Sequence, residues 1–319
     1  MLDVRQPYRP AALERAAWVG LQDSMPRAAV LSLNARVEGC GPFAWDDPTF
    51  VQVWGPRFSV YVVARRDLAV FTLGRLSDDP VAVKKAHDLA DRARDAMAGE
   101  KMTLADVGRA LGVHHNMLRY AAPTGTILVR WEGSGKPLVW TGPAPNVDPV
   151  DARLELARRH LHVYGPTKAA AFAKWAGIKP PRARAAYELL RDELTSVETP
   201  LGNRWILSRD VDSFRADPDA AEFVRLLPSG DSYWLFHGPD RDLLVADQER
   251  QAELWTPRVW PGAVLVGGEI AGTWRRAHHR MTVTPWRQLS GQETEAVEEE
   301  ATSLPLPDLE AEVRVSWVA

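Results

Sequence analysis

One supersecondary plan occurs twice in this chain at a spacing of about 70 residues, and that recurrence limits the fold more than any other feature of the sequence. In the first copy Asp78-Asp79-Pro80 starts an amphipathic helix that runs to about Met97. Thr103 caps a short helix over 104–111, Gly112 turns the chain, and residues 114–120 form a second helix. Two β-prone runs, 126–131 and 137–141, then flank a Glu-Gly-Ser-Gly-Lys connection. The second copy has a helix over 149–163 and another opened by Gly165-Pro166-Thr167 that holds Ala171, Phe172 and Trp175. A turn at Gly177, a long basic helix over 180–194 and a tight hairpin of 196–199 with 204–207 complete it. Helix, helix, turn, helix, hairpin is the order of a winged helix-turn-helix, and a period this long reads as tandem small domains.

Residues 10–76 read as a third, degenerate copy. Ala12, Leu13, Ala16, Ala17, Val19 and Leu21 have helical spacing over 10–22, and Pro26 opens a second apolar helix over 26–37. A short helix near 46–53 and a strand over 58–63 follow. Beyond Pro228 the pattern changes to short β-rich runs at 232–236, 243–245, 263–266, 269–274 and 281–285, with Gly267–Gly268 as a hairpin turn. A helix over 290–304 and a strand over 312–318 end the chain. The expected fold is therefore α+β: tandem winged-helix domains followed by a small C-terminal β-barrel-like domain with a protruding hairpin. Its expected divisions are 1–77, 78–148, 149–210 and 211–319.

Charge looks uninformative until it is divided. The 319 residues carry 39 bases and 42 acids, but residues 291–319 hold eight of those acids and only one base, Arg314. Residues 1–290 thus have 38 bases against 34 acids, a net +4. The surplus gathers in two places. Lys168, Lys174, Lys179, Arg182, Arg184 and Arg191 face a single acid, Glu188, and Lys179, Arg182 and Arg184 crowd the first turn of the candidate recognition helix, where free amides also favour phosphate. Trp274, Arg275, Arg276, His278, His279 and Arg280 lie on the limb leaving the Gly267–Gly268 turn, a basic hairpin suited to probing a groove. His114, His115, Asn116 and Arg119 supply further donors on the other candidate recognition helix.

Several chemistries lose their usual signatures. One cysteine, Cys40, excludes an intramolecular disulfide and a cysteine-based metal site, and adjacent histidines in a strand point to opposite faces, so no metal or cofactor is expected. Phosphate-binding loops, dinucleotide fingerprints, nucleophile elbows and zinc-protease motifs are absent from the sequence. No run approaches the roughly 18–20 apolar residues of a membrane span, so a monomeric cytoplasmic protein that meets double-stranded DNA and no membrane is expected. The 13 tryptophans, among them Trp131, Trp140, Trp175, Trp205 and Trp274, read as core anchors, with Trp274 the one expected at DNA.

The polar junction Gln22-Asp23-Ser24 between two apolar helices remains. Here the chain resembles the AlkZ/YcaQ-like bacterial DNA glycosylases, tandem winged-helix proteins that excise alkylated and crosslinked bases. The resemblance rests on the stretch from Gly20-Leu-Gln-Asp-Ser-Met-Pro to Arg36, on Tyr164-Gly-Pro-Thr-Lys to Gly177, on Leu226-Leu-Pro-Ser-Gly-Asp-Ser-Tyr233 and on Pro261-Gly-Ala-Val-Leu-Val-Gly-Gly to Arg275. In that family a glutamine, a spacer and a second glutamine or aspartate hold the water that attacks the deoxyribose C1′. The resemblance places Gln22 at the first position and Ser24 at the second, where serine is too short to replace an amide or carboxylate. Asp23 then either becomes the acceptor by a one-residue shift or caps the following helix. The family strand often reads Arg-Gly-Thr-x-His; here it is Arg57-Phe-Ser-Val-Tyr61, with Tyr61 at the histidine position. Arg57 carries over as a backbone contact, and Arg27 joins the expected DNA-binding set.

Three functions follow as expectations: a monofunctional glycosylase acting through Gln22 with Asp23 or Ser24; a catalytically silent DNA-binding protein of the same architecture; and a protein-docking scaffold.

Overall fold

The computed structural model describes residues 5–23, 27–132, 135–216, 223–306 and 311–318. Pro10 sits in the first turn of α1 (Pro10–Ala16), and α2 (Ala28–Asn34) is buried along its whole length. The first helix stops well short of residue 22. Leu21–Gln22 instead forms strand β1, which pairs antiparallel with β3 (Val60–Ala64), Gln22 lying opposite Tyr61. β2 (Phe50–Trp54) takes the other edge of β3, giving the order β1-β3-β2. The helix expected over 46–53 is a single 3-10 turn at Ala44–Asp46 followed by β2. Phe50-Val-Gln-Val-Trp54 is β-branched and aromatic, so a strand wins once β3 offers a partner. A short helix, α3 (Leu68–Phe71), follows.

Asp79 caps α4 (Pro80–Met97) by accepting from the Val81 amide at 3.0 Å. After β4 (Met102–Thr103), Thr103 caps α5 (Leu104–Leu111) and Gly112 ends it in the left-handed conformation. The helix expected over 114–120 is a 3-10 helix, His115–Tyr120. The His114 imidazole accepts from the Asn116 amide at 3.3 Å, a local side-chain bond that competes with α-helical pairing. β5 (Ile127–Arg130) and β6 (Leu138–Thr141) join β4 in the order β4-β6-β5.

The next unit has α6 (Pro149–Tyr164), α7 (Ala169–Ala176), α8 (Pro180–Leu189) and the pair β7 (Leu194–Val197) and β8 (Arg204–Leu207), with a bridge from Thr167 to Trp205. A short helix, α9 (Val211–Arg215), leads out of it.

The C-terminal region is a sheet of five strands: β9 (Val224–Leu227), β10 (Gly262–Val266), β11 (Glu269–Ala277), β12 (Arg280–Pro285) and β13 (Arg314–Trp317). Its order is β13-β12-β11-β10-β9, with only β12 and β13 parallel. The expected barrel is thus corrected to an open sheet. The runs at 232–236 and 243–245 that were to help close it are not strands. Turn chemistry around Gly230-Asp231 and Gly238-Pro239 yields a turn and a 3-10 helix, Gly238–Leu243, before α10 (Gln248–Leu254). α11 (Gly291–Ser303), closed by a capping box from Ser290 and Glu293, packs Val297 and Ala301 against the sheet.

The cores cross the divisions expected from the sequence. Leu13, Val30 and Leu33 of the N-terminal helices share one cluster with Leu226, Val264 and Val283 of the C-terminal sheet. Val53, Tyr61 and Phe71 pack with Leu156, Phe172 and Trp175, while Trp54 packs with Val107 and Ile127. The first sheet is therefore a hub on which the other units are seated, and Gln22 lies on its edge strand. Among the described residues no helix is long and apolar enough to cross a membrane.

Candidate active site and nucleic-acid interface

Side chains at successive strand positions point to opposite faces, and β1 ends on that alternation. Leu21 is buried in the N-terminal core, whereas Gln22 is half-buried and turned toward Arg57 and Tyr61. Arg57 donates from Nη2 to Gln22 Oε1 at 3.3 Å, and the Tyr61 hydroxyl donates to the same oxygen at 3.3 Å. Because guanidinium has no acceptor, the amide atom facing it must be the oxygen. Burial pushes the Tyr61 hydroxyl up to about 12, so it remains a donor.

Arg57 is fixed from two sides. Its backbone sits at φ +53° in the turn between β2 and β3, and Gly177, at the end of α7, approaches so closely that a Cβ there would lie 2.9 Å from the Arg57 nitrogen. Its Nη1 meets His237 Nε2, while His237 Nδ1 donates to the Leu235 carbonyl at 3.0 Å. That second bond places the ring proton on Nδ1 and leaves Nε2 as an acceptor for Arg57. Burial, followed by Arg57 and Arg241, lowers the His237 pKa to about 3, which keeps the ring neutral. On the far side, the turn 228–231 is anchored by paired bonds from Arg36 to the Asp231 carboxylate, both 2.8 Å. Gly230, at φ +75°, closes over Gln22; a Cβ there would be 3.1 Å from Gln22 Nε2.

Asp23 faces the interior. Its carboxylate is fully buried, accepting from the Ala29 amide at 3.1 Å and Gln52 Nε2 at 2.9 Å, with Arg27 Nη1 at 3.6 Å. The bond to Ala29 satisfies a free amide in the first turn of α2. Burial raises the Asp23 pKa to about 6, against the opposing pull of Arg27, the Ala29 amide and Gln52. Ser24 lies outside the described residues.

The expected DNA-binding residues divide into open and committed groups. Lys168 and Lys179, the residues that precede α7 and α8, and Arg184 on α8 are exposed; around the 3-10 helix His115–Tyr120, His114 and Asn116 are exposed and His115 and Arg119 half-buried. Arg182 is committed instead: its Nε pairs with Asp78 at 3.1 Å and its Nη1 approaches the Arg75 carbonyl. Arg27 is buried over the Trp45 ring, with Nη2 donating to the Trp131 carbonyl at 2.7 Å. Trp274 is buried, and its indole donates to the Leu227 carbonyl at 2.9 Å, so it anchors the sheet and shows only a small part of itself to the groove beside Arg275.

The basic hairpin does form, but its tip is His278–His279, between β11 and β12, and the Gly267–Gly268 turn lies at the opposite end of β11. Arg275, Arg276 and His278 are exposed. A groove of about 370 Å³, lined by Ala28, Leu31, Ser229, Trp260, Arg275 and Arg276, runs from the hairpin base to the turn beside Gln22.

Sequence reasoning missed His237 and Arg241. His237 touches Arg57, and Arg241 adds its charge nearby, only through folding across some 180 positions, and no local spacing signals that proximity.

A family model described as "DNA glycosylase AlkZ-like" matches residues 13–305. An interstrand DNA cross-link repair glycosylase of Streptomyces sahachiroi is 26% identical over 158 residues, 48% of this chain; the match spans 42% of that relative's length. The solved structure of the Streptomyces sahachiroi DNA glycosylase AlkZ has the same fold, with a TM-score of 0.77, 18% identity and coverage of 99% of this chain and 95% of that one.

Proposed function

The chain belongs to the AlkZ-like DNA glycosylase family, and on that footing we propose that it binds duplex DNA and excises alkylated bases, including crosslinked ones, by water attack at C1′. The observation that carries this reading is Gln22, on a strand edge, held by Tyr61 and by the Arg57 that His237 fixes, under a turn at Gly230 whose neighbour Ser229 lines a groove with Arg275 and Arg276. In the reaction the water oxygen bonds to C1′ and the C1′–N bond breaks. Its electron pair leaves with the base, cancelling the positive charge that alkylation put there, and the water proton passes to solvent. Such a leaving group needs little acid assistance, so the protein's task is to place a water against an electron-poor carbon.

Gln22 orients that water through Oε1. The contacts from Arg57 and Tyr61 to Oε1 are each 3.3 Å, at the long end for hydrogen bonds, and a DNA phosphate competes for Arg57. Engagement of Arg57 by phosphate releases a lone pair of Oε1 to the water, which couples the site to DNA binding.

The units over 78–148 and 149–210 act as winged helices, with His115–Tyr120 and α8 as their groove-facing elements. Lys168, Lys179, Arg184 and the His278–His279 hairpin contact the duplex. The protein works as a cytoplasmic monomer. One observation favours a second reading, binding without excision: Asp23 is buried and committed to α2 and Gln52, so it does not serve as the second acceptor for a water at Gln22.

Excess protein incubated with duplexes carrying N7-methylguanine, N3-methyladenine or a nitrogen-mustard crosslink, then scored for abasic sites, separates the two. Strand cleavage after alkali supports excision; binding without cleavage on all three supports the silent binder.

A further inference from the structure

A second cleft opens one residue along from Gln22. It measures about 380 Å³ and lies between the β2–β3 turn and the unit over 78–148, with Ser59 and Val60 on its floor. The Asp23 amide bonds to the Val60 carbonyl at 2.8 Å, so the cleft begins where β1 ends. Its walls include the aromatic rings of Trp54, Phe58 and Trp131, and its cations are Arg57 and Arg119; no acid is among its described lining residues. Arg57 is shared, because its Nη2 also reaches Gln22. Arg119 Nε is buried and has no hydrogen-bond partner among the described residues, a donor that burial leaves costly until an acceptor arrives.

Trp131 has a division of labour suited to a binding wall. Its backbone is held by Gln52, Oε1 accepting from the Trp131 amide at 2.7 Å, and by Arg27 donating to its carbonyl at 2.7 Å. The half-buried indole is left to line the cleft. At the rim, Phe58 meets Tyr120 edge-on at 5.2 Å, and Tyr120 is 55% exposed.

Aromatic faces beside unopposed arginines fit a planar group attached to an anion, and the volume lies within the range of about 300–1,000 Å³ for small-ligand sites. We infer that this cleft takes an unstacked nucleotide of the DNA, its base against Trp131 and Phe58 and its phosphate at Arg119, next to Arg57. The inference rests on the DNA-binding reading above and adds that the protein holds one nucleotide outside the stack while Gln22 faces the sugar.

The test uses the full chain with two duplexes of one sequence, one fully paired and one with a single bulged 2-aminopurine. Wild type is expected to bind the bulged duplex about tenfold tighter and to quench the 2-aminopurine emission through stacking. Trp131→Ala is expected to abolish that preference and the quenching while keeping affinity for the paired duplex within about twofold, since backbone contacts elsewhere are untouched, and Arg119→Gln is expected to abolish the preference as well. Thermal melts confirm that each variant folds, and Trp131→Leu replaces Trp131→Ala if the latter does not. Equal affinity of wild type for both duplexes, or a preference that survives in the folded variants, overturns the inference. Loss of binding to the paired duplex in wild type would instead overturn the DNA-binding reading itself, and the inference with it.

Discussion

Arg57 and His237, 180 positions apart in the chain, meet side chain to side chain, and the meeting fixes the guanidinium whose other nitrogen donates to Gln22. His237 is thereby a positioning residue, acting on Gln22 through Arg57. His237→Ala is expected to slow single-turnover excision by about tenfold with DNA affinity little changed, and His237→Gln, whose amide oxygen replaces the Nε2 acceptor, to recover most of the loss. The lowered pKa, about 3, adds a pH expectation. A histidine shifted down is protonated only far below its ordinary value, so the rate between pH 5 and 8 carries no inflection from this ring. An inflection near 6.5 that His237→Gln removes would contradict the assignment.

Asp23 gives a stability test with a definite sign. Its pKa is about 6 in the folded protein against an ordinary 3.8. The native state therefore binds more protons than the unfolded chain between those values. The stabilisation is present below pH 4 and is lost as pH rises through 6. Asp23→Asn, neutral throughout, removes that dependence, so wild type should lose about 2 kcal/mol relative to the variant between pH 4 and 7. Parallel denaturant titrations across this range check it; a constant difference would mean that the carboxylate is not held as described.

The cations at the start of α8 should separate by role. Lys179 and Arg184 are exposed, so reversing both to Glu should weaken duplex binding and flatten its logarithmic salt dependence by about two phosphate contacts. Arg182→Ala breaks the pair with Asp78 and should lower the melting temperature while leaving the salt slope unchanged. An altered slope in Arg182→Ala would place that arginine at the DNA instead.

The C-terminal hairpin divides in the same way. Trp274→Ala empties a buried site and should cost about 3–5 kcal/mol of stability. Arg275→Glu with Arg276→Glu should leave the melting temperature nearly unchanged and reduce DNA affinity. A surface role for Trp274 would show as weakened binding with unaltered stability.

These contrasts mark what the sequence could disclose. The repeated helix and hairpin plan was legible because caps and turns are local: Asp79, Thr103 and Gly112 act where they stand. The strand at Leu21–Gln22 was not, because two residues declare no period and the pairing with Val62 and Tyr61 is supplied by a distant segment. The open sheet was misread for a related reason, since Trp234 and Leu235 are as apolar as strand residues yet are buried from a turn. At the candidate site, a family resemblance singles out Gln22 and Arg57. The commitment of Arg27, Arg182 and Trp274 to internal partners needed three dimensions, as did the discovery of His237.

The most direct measurement is single-turnover excision from an N7-methylguanine duplex by wild type and Gln22→Ala, with DNA affinity measured in parallel. The expected result is excision by wild type, a loss of about 100-fold or more in Gln22→Ala, and affinities within about twofold of each other. Equal excision rates for the two proteins, or tight binding by wild type with every lesion left intact, would contradict the proposal that Gln22 places the attacking water.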